Sequence, residues 1–138
     1  HASHSFSVLW KQVLQFSESY ELLSKGCKYV SLTLDYPFIT LEEQSRFMVG
    51  VTLPQSFKIP KGFGVYEVPA GEYAIFRFKG LYHELNRVYR YIYLDWLPAN
   101  DYSLREPFTF ETYINTPEKT PVSELITDIY LPVKKKEI

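Results

Sequence analysis

The chain has 138 residues, 46% of them hydrophobic and 22% charged, which places it with single globular domains and excludes disordered and fibrous classes. Fifteen Lys and Arg against sixteen Asp and Glu leave a formal charge of -1, so no global field draws it to nucleic acid or an anionic membrane. The longest apolar runs are far short of the roughly 20 residues that cross a bilayer, and no charged start followed by an apolar stretch marks a signal peptide. A soluble, cytoplasmic protein without membrane contact is expected. The single Cys27 forms no intramolecular disulfide and builds no zinc site alone, so neither a metal nor another cofactor is expected. Aromatic residues reach 17%, with twelve Tyr, a chemistry that suits half-wet grooves and equally the rim of an ordinary sheet core.

The opening His1-Ala2-Ser3-His4 lacks Met, so residues 1–4 read as a remnant of processing, tagging or cutting from a longer chain. Phe6, Leu9, Trp10, Val13, Leu14 and Phe16 follow three-four spacing and predict an amphipathic helix from Phe6 to Leu23, ending at Lys25-Gly26. Cys27 to Leu34 alternates and predicts a strand. Asp35-Tyr36-Pro37 breaks it, and Arg46 to Leu53 predicts a second strand, antiparallel to the first. Residues 55–64 read as a loop, Val65 to Val68 as a short strand, Pro69-Ala70-Gly71 as a turn and Glu72 to Lys79 as an alternating strand. Leu81, Leu85, Val88, Tyr89, Ile92 and Trp96 return to helical spacing over Leu81 to Leu97, with Pro98 as terminator. Strands from Phe108 to Ile114 and from Glu124 to Val133 follow, and Lys134-Lys135-Lys136 reads as a frayed end.

Lined up, these elements repeat. Helix, strand, Tyr36-Pro37-Phe38, strand and Leu53-Pro54 correspond to helix, Glu106-Pro107-Phe108, strand and Leu131-Pro132. The second unit begins with the strand Glu72 to Lys79, which has no counterpart in the first. The whole of 1–138 is therefore expected to be one domain lacking its first strand, with that strand supplied by flanking sequence or by a partner chain. An unpaired edge of this kind makes a homodimer one expected outcome.

The chemistry these residues offer is narrow. The histidines are His1, His4 and His83, and His83 reads as a helix-surface residue, so a nucleophile-histidine pair has no support. No glycine-rich phosphate loop follows a strand. Arg87, Tyr89, Arg90 and Tyr91 interleave bases and aromatics, yet they fit one amphipathic helix with its Arg side chains in water. The informative stretch is Phe108-Thr109-Phe110-Glu111-Thr112-Tyr113, whose period of two puts Glu111 and Tyr113 on one face and Phe108 and Phe110 on the other. With helices over the Phe face, Glu111 and Tyr113 are expected to look out from the opposite side. They are then either a solvated pair on a half-wet sheet or a carboxylate among aromatic walls, with Tyr73 and Tyr66 as wall residues, that would attract a lipophilic cation.

Val68-Pro69-Ala70-Gly71-Glu72-Tyr73-Ala74, Gly80, Asp95-Trp96-Leu97-Pro98, Phe110-Glu111-Thr112-Tyr113 and Asp128-Ile129-Tyr130-Leu131-Pro132-Val133 together resemble the GyrI-like small-molecule-binding domains, which also serve as effector domains of AraC-type transcription regulators. The first half matches through Asp35-Tyr36-Pro37, Glu43 and Arg46. The resemblance implies an α+β fold of duplicated β-α-β-β units, forming a curved antiparallel sheet with two helices on one face and a ligand groove on the other. It also implies that the family's groove Glu maps to Glu111, with Tyr113 beside it. The leading expectation is a non-catalytic effector-binding domain of a bacterial transcription regulator, taking a lipophilic small molecule, with cations among the candidates, and meeting DNA only through a separate domain. The rivals are a hydrolase of electrophilic natural products, using Glu111 and Tyr113, and a protein-interaction or inhibitor domain.

Overall fold

A computed structural model describes residues 2–34, 46–106 and 108–136. Helix α1 spans Ala2–Ser19. It ends earlier than the apolar spacing predicts, because the chain turns through a 3-10 segment at Leu23–Lys25 and Gly26 adopts a left-handed φ of 85° that returns its N–H to the Leu23 carbonyl. The turn buries Leu22 completely, and Leu22, Phe16 and Cys27 form a core with Val51, Leu53 and Phe57.

Strands β1 (Tyr29–Thr33) and β2 (Phe47–Val51) pair antiparallel, as their alternation predicts. The remaining strands are β3 (Tyr73–Lys79), β4 (Tyr102–Leu104), β5 (Thr109–Tyr113) and β6 (Ile126–Lys135). They complete a curved, open, six-stranded antiparallel sheet of order β2-β1-β5-β6-β3. Strand β4 also pairs with β6, and the register against β6 advances by three residues between Leu104↔Val133 and Phe110↔Tyr130, so β4 and β5 form one line interrupted by a bulge. The two helical units meet at the central β1·β5 pair, where Ser31 lies opposite Glu111. Strand β3 covers the outer edge of β6, and among the described residues no strand pairs with the outer edge of β2. The architecture is α+β, a curved sheet bearing two helices.

The second helix enters through a 3-10 turn at Tyr82–Glu84, runs as α2 (Leu85–Tyr91), widens to a π turn over Ile92–Trp96 and closes as α3 (Leu97–Ala99). Pro98 does not end the helix as expected but sits within its last turn. It lacks the N–H that an α-helical turn would direct at the Leu94 carbonyl, and the wider turn immediately before it accommodates that loss. Leu85 and Ile92 pack against Ile129, Leu131 and Val133, with Phe76 and Trp96 meeting edge-on at 4.9 Å.

Three other expectations are corrected. Val65–Val68 forms no strand and is exposed, Val65 at 69%, because no sheet edge receives its hydrogen bonds. Residues 102–104 form β4, and their pairing holds Lys134 and Lys135 within β6 rather than in a frayed tail. The alternation of β5 is as expected but its orientation is reversed. Glu111, Tyr113, Ser31, Ile129 and Phe76 share the face that carries the helices, while Phe110, Tyr130 and Tyr73 share the opposite one, because α2 packs onto Ile129 and Leu131 and its Tyr89 reaches Glu111. Asp35-Tyr36-Pro37, Phe38, Glu43 and Pro107, used above in the repeat and the resemblance, lie outside the described residues.

Candidate functional site

Glu111 stands at the middle of the sheet, on β5, between the two helices. Its position follows from the register: Ser31 flanks it on β1 and Ile129 on β6, both on the same face. Each carboxylate oxygen accepts a phenol. Tyr113 Oη donates to Oε1 at 2.8 Å from two residues along the same strand, and Tyr89 Oη donates to Oε2 from α2. Since Tyr113 has one hydroxyl proton and gives it to Glu111, the contact of 2.8 Å between Ser31 Oγ and Tyr113 Oη is a Ser31 donation. A chain of hydrogen bonds therefore runs Ser31, Tyr113, Glu111, Tyr89 across β1, β5 and α2.

Aromatic rings wall this chain. Trp10 of α1 meets Tyr113 edge-on at 5.6 Å and Tyr29 at 6.0 Å, and Tyr82 meets Tyr113 at 5.6 Å from the side of α2. Among the described residues no Lys, Arg or His pairs with Glu111. Burial therefore pushes its carboxyl above the usual carboxylate range, and the two phenol donors only partly oppose that rise. Burial also raises Tyr113 and Tyr89, to which the Glu111 charge adds, and Tyr82 rises by burial, with Glu118 and Glu111 contributing. The phenols are thus protonated donors throughout the neutral range. Glu111 and Tyr89 are both half-buried as whole residues. A carboxylate with no cationic partner among the described residues, held by two phenols with Trp10 and Tyr82 beside them, is suited to receiving a positively charged apolar molecule. Among the described residues no three His, Cys, Asp or Glu side chains gather as metal ligands, and no helix is long and apolar enough to cross a membrane.

Of the four residues expected from sequence, Glu111 and Tyr113 come together. Tyr73 lies on the opposite face of the sheet, its hydroxyl donating to the Pro69 carbonyl and its ring against Phe110 at 5.4 Å beneath the Arg105 guanidinium at 4.9 Å. Tyr66 is 48% exposed in the 63–70 stretch, and the hydrogen bonds on the Glu111 carboxylate come from Tyr89 and Tyr113 instead. His83 is exposed, as expected. Sequence reasoning missed Tyr89, Tyr82, Trp10 and Ser31. Tyr89 carried a usable signal, since a Tyr within the inward stripe Leu85, Val88, Ile92 must find its hydroxyl a buried partner.

Comparison with known proteins bears on the family of the chain. The profile of the GyrI-like family, described as a GyrI-like small molecule binding domain, matches residues 2–134. A protein named DNA gyrase inhibitor, from Serratia proteamaculans (strain 568), is 33% identical over 112 residues, spanning 78% of this chain and 70% of that protein.

Proposed function

Because the chain belongs to the GyrI-like small-molecule-binding family, we propose that it binds a lipophilic cation between α1 and α2, with Glu111 as counter-ion and Tyr113, Tyr89, Tyr82 and Trp10 as walls. The observation that carries this reading is the Glu111 carboxylate itself, hydrogen-bonded by two phenols yet paired with no cation among the described residues. The charge of a bound cation offsets the cost of holding that anion away from water. Its biological role, in this reading, is effector sensing for a bacterial transcription regulator, with DNA contacted by a separate domain. A thermal-shift screen of lipophilic cations and their neutral analogues tests it, since a ligand of the native state raises the melting temperature by mass action. Cations stabilising the wild type but not Glu111→Gln is the expected result, and equal stabilisation of both proteins overturns the counter-ion role.

A second reading is favoured by the Serratia relative's name and by the exposed Val65, Tyr66, Val68 and Ile75. These apolar residues would serve a protein partner, DNA gyrase being the one the name suggests. Inhibition of purified gyrase supercoiling by this protein supports it, and full supercoiling at saturating protein rejects it.

A further inference from the structure

The two phenols on Glu111 are held unequally. Tyr113 belongs to the same rigid strand, accepts from Ser31 and is braced by the rings of Trp10 and Tyr82. Tyr89 comes from a different element, and its helix leaves α-geometry for the π turn at Ile92–Trp96 one residue after α2 ends. Wider turns of this kind are rare within α-helices and stand frequently at functional sites. A cation approaching Glu111 from between the helices can leave the Tyr113 bond intact, whereas an N–H donor that takes the Oε2 lone pair held by Tyr89 exchanges with that phenol.

We infer that Tyr89 is the exchangeable partner of Glu111: an N–H donor on a ligand displaces its phenol from Oε2, so Tyr89 competes with cations that carry an N–H donor and not with cations that lack one. This rests on the cation-binding reading given above. The distinction follows from hydrogen-bond accounting. A buried oxygen that loses a donor is costly unless the newcomer supplies another. A protonated primary or secondary amine does so, whereas a quaternary ammonium of the same bulk brings charge alone. Tyr89 is thereby a specificity-determining residue: its phenol offsets the hydrogen bond that an N–H ligand gains at Oε2, while a quaternary ammonium binds with the phenol in place.

The test uses two probes of one skeleton, biphenyl-4-ylmethylammonium and its N,N,N-trimethyl derivative, titrated calorimetrically into the wild type, Tyr89→Phe and Glu111→Gln. In Tyr89→Phe the Oε2 acceptor is already vacant, so the primary ammonium gains a hydrogen bond without breaking one. Its affinity is expected to rise about tenfold, the scale of a single hydrogen bond. The trimethyl derivative is expected to change less than about threefold on the same scale. Tyr89→Phe weakening or strengthening both probes alike overturns the exchange, even where Glu111→Gln abolishes binding and so upholds the cation site. Failure of both probes to bind the wild type overturns the site and the exchange together. A measurement needing no variant guards against misfolding: the wild-type Tyr89 ring resonances are expected to shift on adding the primary ammonium while those of Tyr113 stay within the change caused by ring currents, and an unmoved Tyr89 contradicts the inference.

Discussion

The turn at Pro69-Ala70-Gly71 and the bulge between β4 and β5 are locked together by one guanidinium. Arg105 donates to the Glu72 carbonyl at 3.0 Å and, at longer range, to the Ala70 and Val133 carbonyls at 3.4 Å, while lying over Tyr73. Gly71 has a φ of 147°, and a Cβ there would stand 2.5 Å from Arg105 Cζ. Gly71→Ala therefore combines two costs. The strained backbone contributes on the order of 1–3 kcal/mol, and expelling the guanidinium forfeits one good charged hydrogen bond and its weaker companions, about 2 kcal/mol. The total is about 3–5 kcal/mol by the sum of these principles. Arg105→Ala alone forfeits only the second part, and in that background Gly71→Ala adds only the backbone part. The double mutant should accordingly be more stable than the sum of the singles implies, by about 2 kcal/mol. Urea unfolding of the four proteins measures the cycle. Additivity within about 0.5 kcal/mol, the usual scatter for independent sites, would refute the steric lock.

Two further outcomes follow from the core and the site. Ile129 is fully buried beneath α2 and beside Glu111, so Ile129→Ala should cost about 3–5 kcal/mol, the upper part of the range for a core that cannot collapse around the void; a urea midpoint within about 1 kcal/mol of wild type would show that the sheet relaxes there. Glu111 titrates above its unfolded value, so its contribution to stability is present in acid and is lost as the pH rises through the native midpoint. Relative to Glu111→Gln, the free wild type should lose stability between the ordinary glutamate range and that raised midpoint, and run parallel to the variant above it. A difference between the two proteins that does not change with pH would contradict the burial of the charge.

The pattern of apolar residues was enough to locate both helices and most of the strands, because spacing reports which residues must leave water. It located Glu111 and Tyr113 on one face by the same logic. Which face the helices cover was not legible, since Phe108-Phe110 on one side and Ile129-Leu131 on the other are both apolar enough to receive a helix. That choice is made by packing between β6 and α2, residues far apart in sequence. Tyr73 was misplaced for the same reason: on its strand it alternates with Ala74 and Phe76, and the helix covers the latter two. The Val65–Val68 stretch has strand propensity without a paired edge, a tertiary fact that local composition does not carry. Tyr89 looked like part of a solvated basic helix face because Arg87 and Arg90 surround it, although its place beside Val88 and Ile92 turns it inward.

The central claim is that Glu111 is a buried carboxylate awaiting a positive charge, and its own titration reads that directly. The side-chain carboxyl carbon of Glu111 can be followed by NMR as a function of pH, in the free protein and with saturating biphenyl-4-ylmethylammonium. The account predicts a midpoint above the ordinary glutamate range in the free protein, raised by burial, and a fall in that midpoint when the cation is bound. A midpoint that is ordinary to begin with, or one that the cation leaves unmoved, would contradict it.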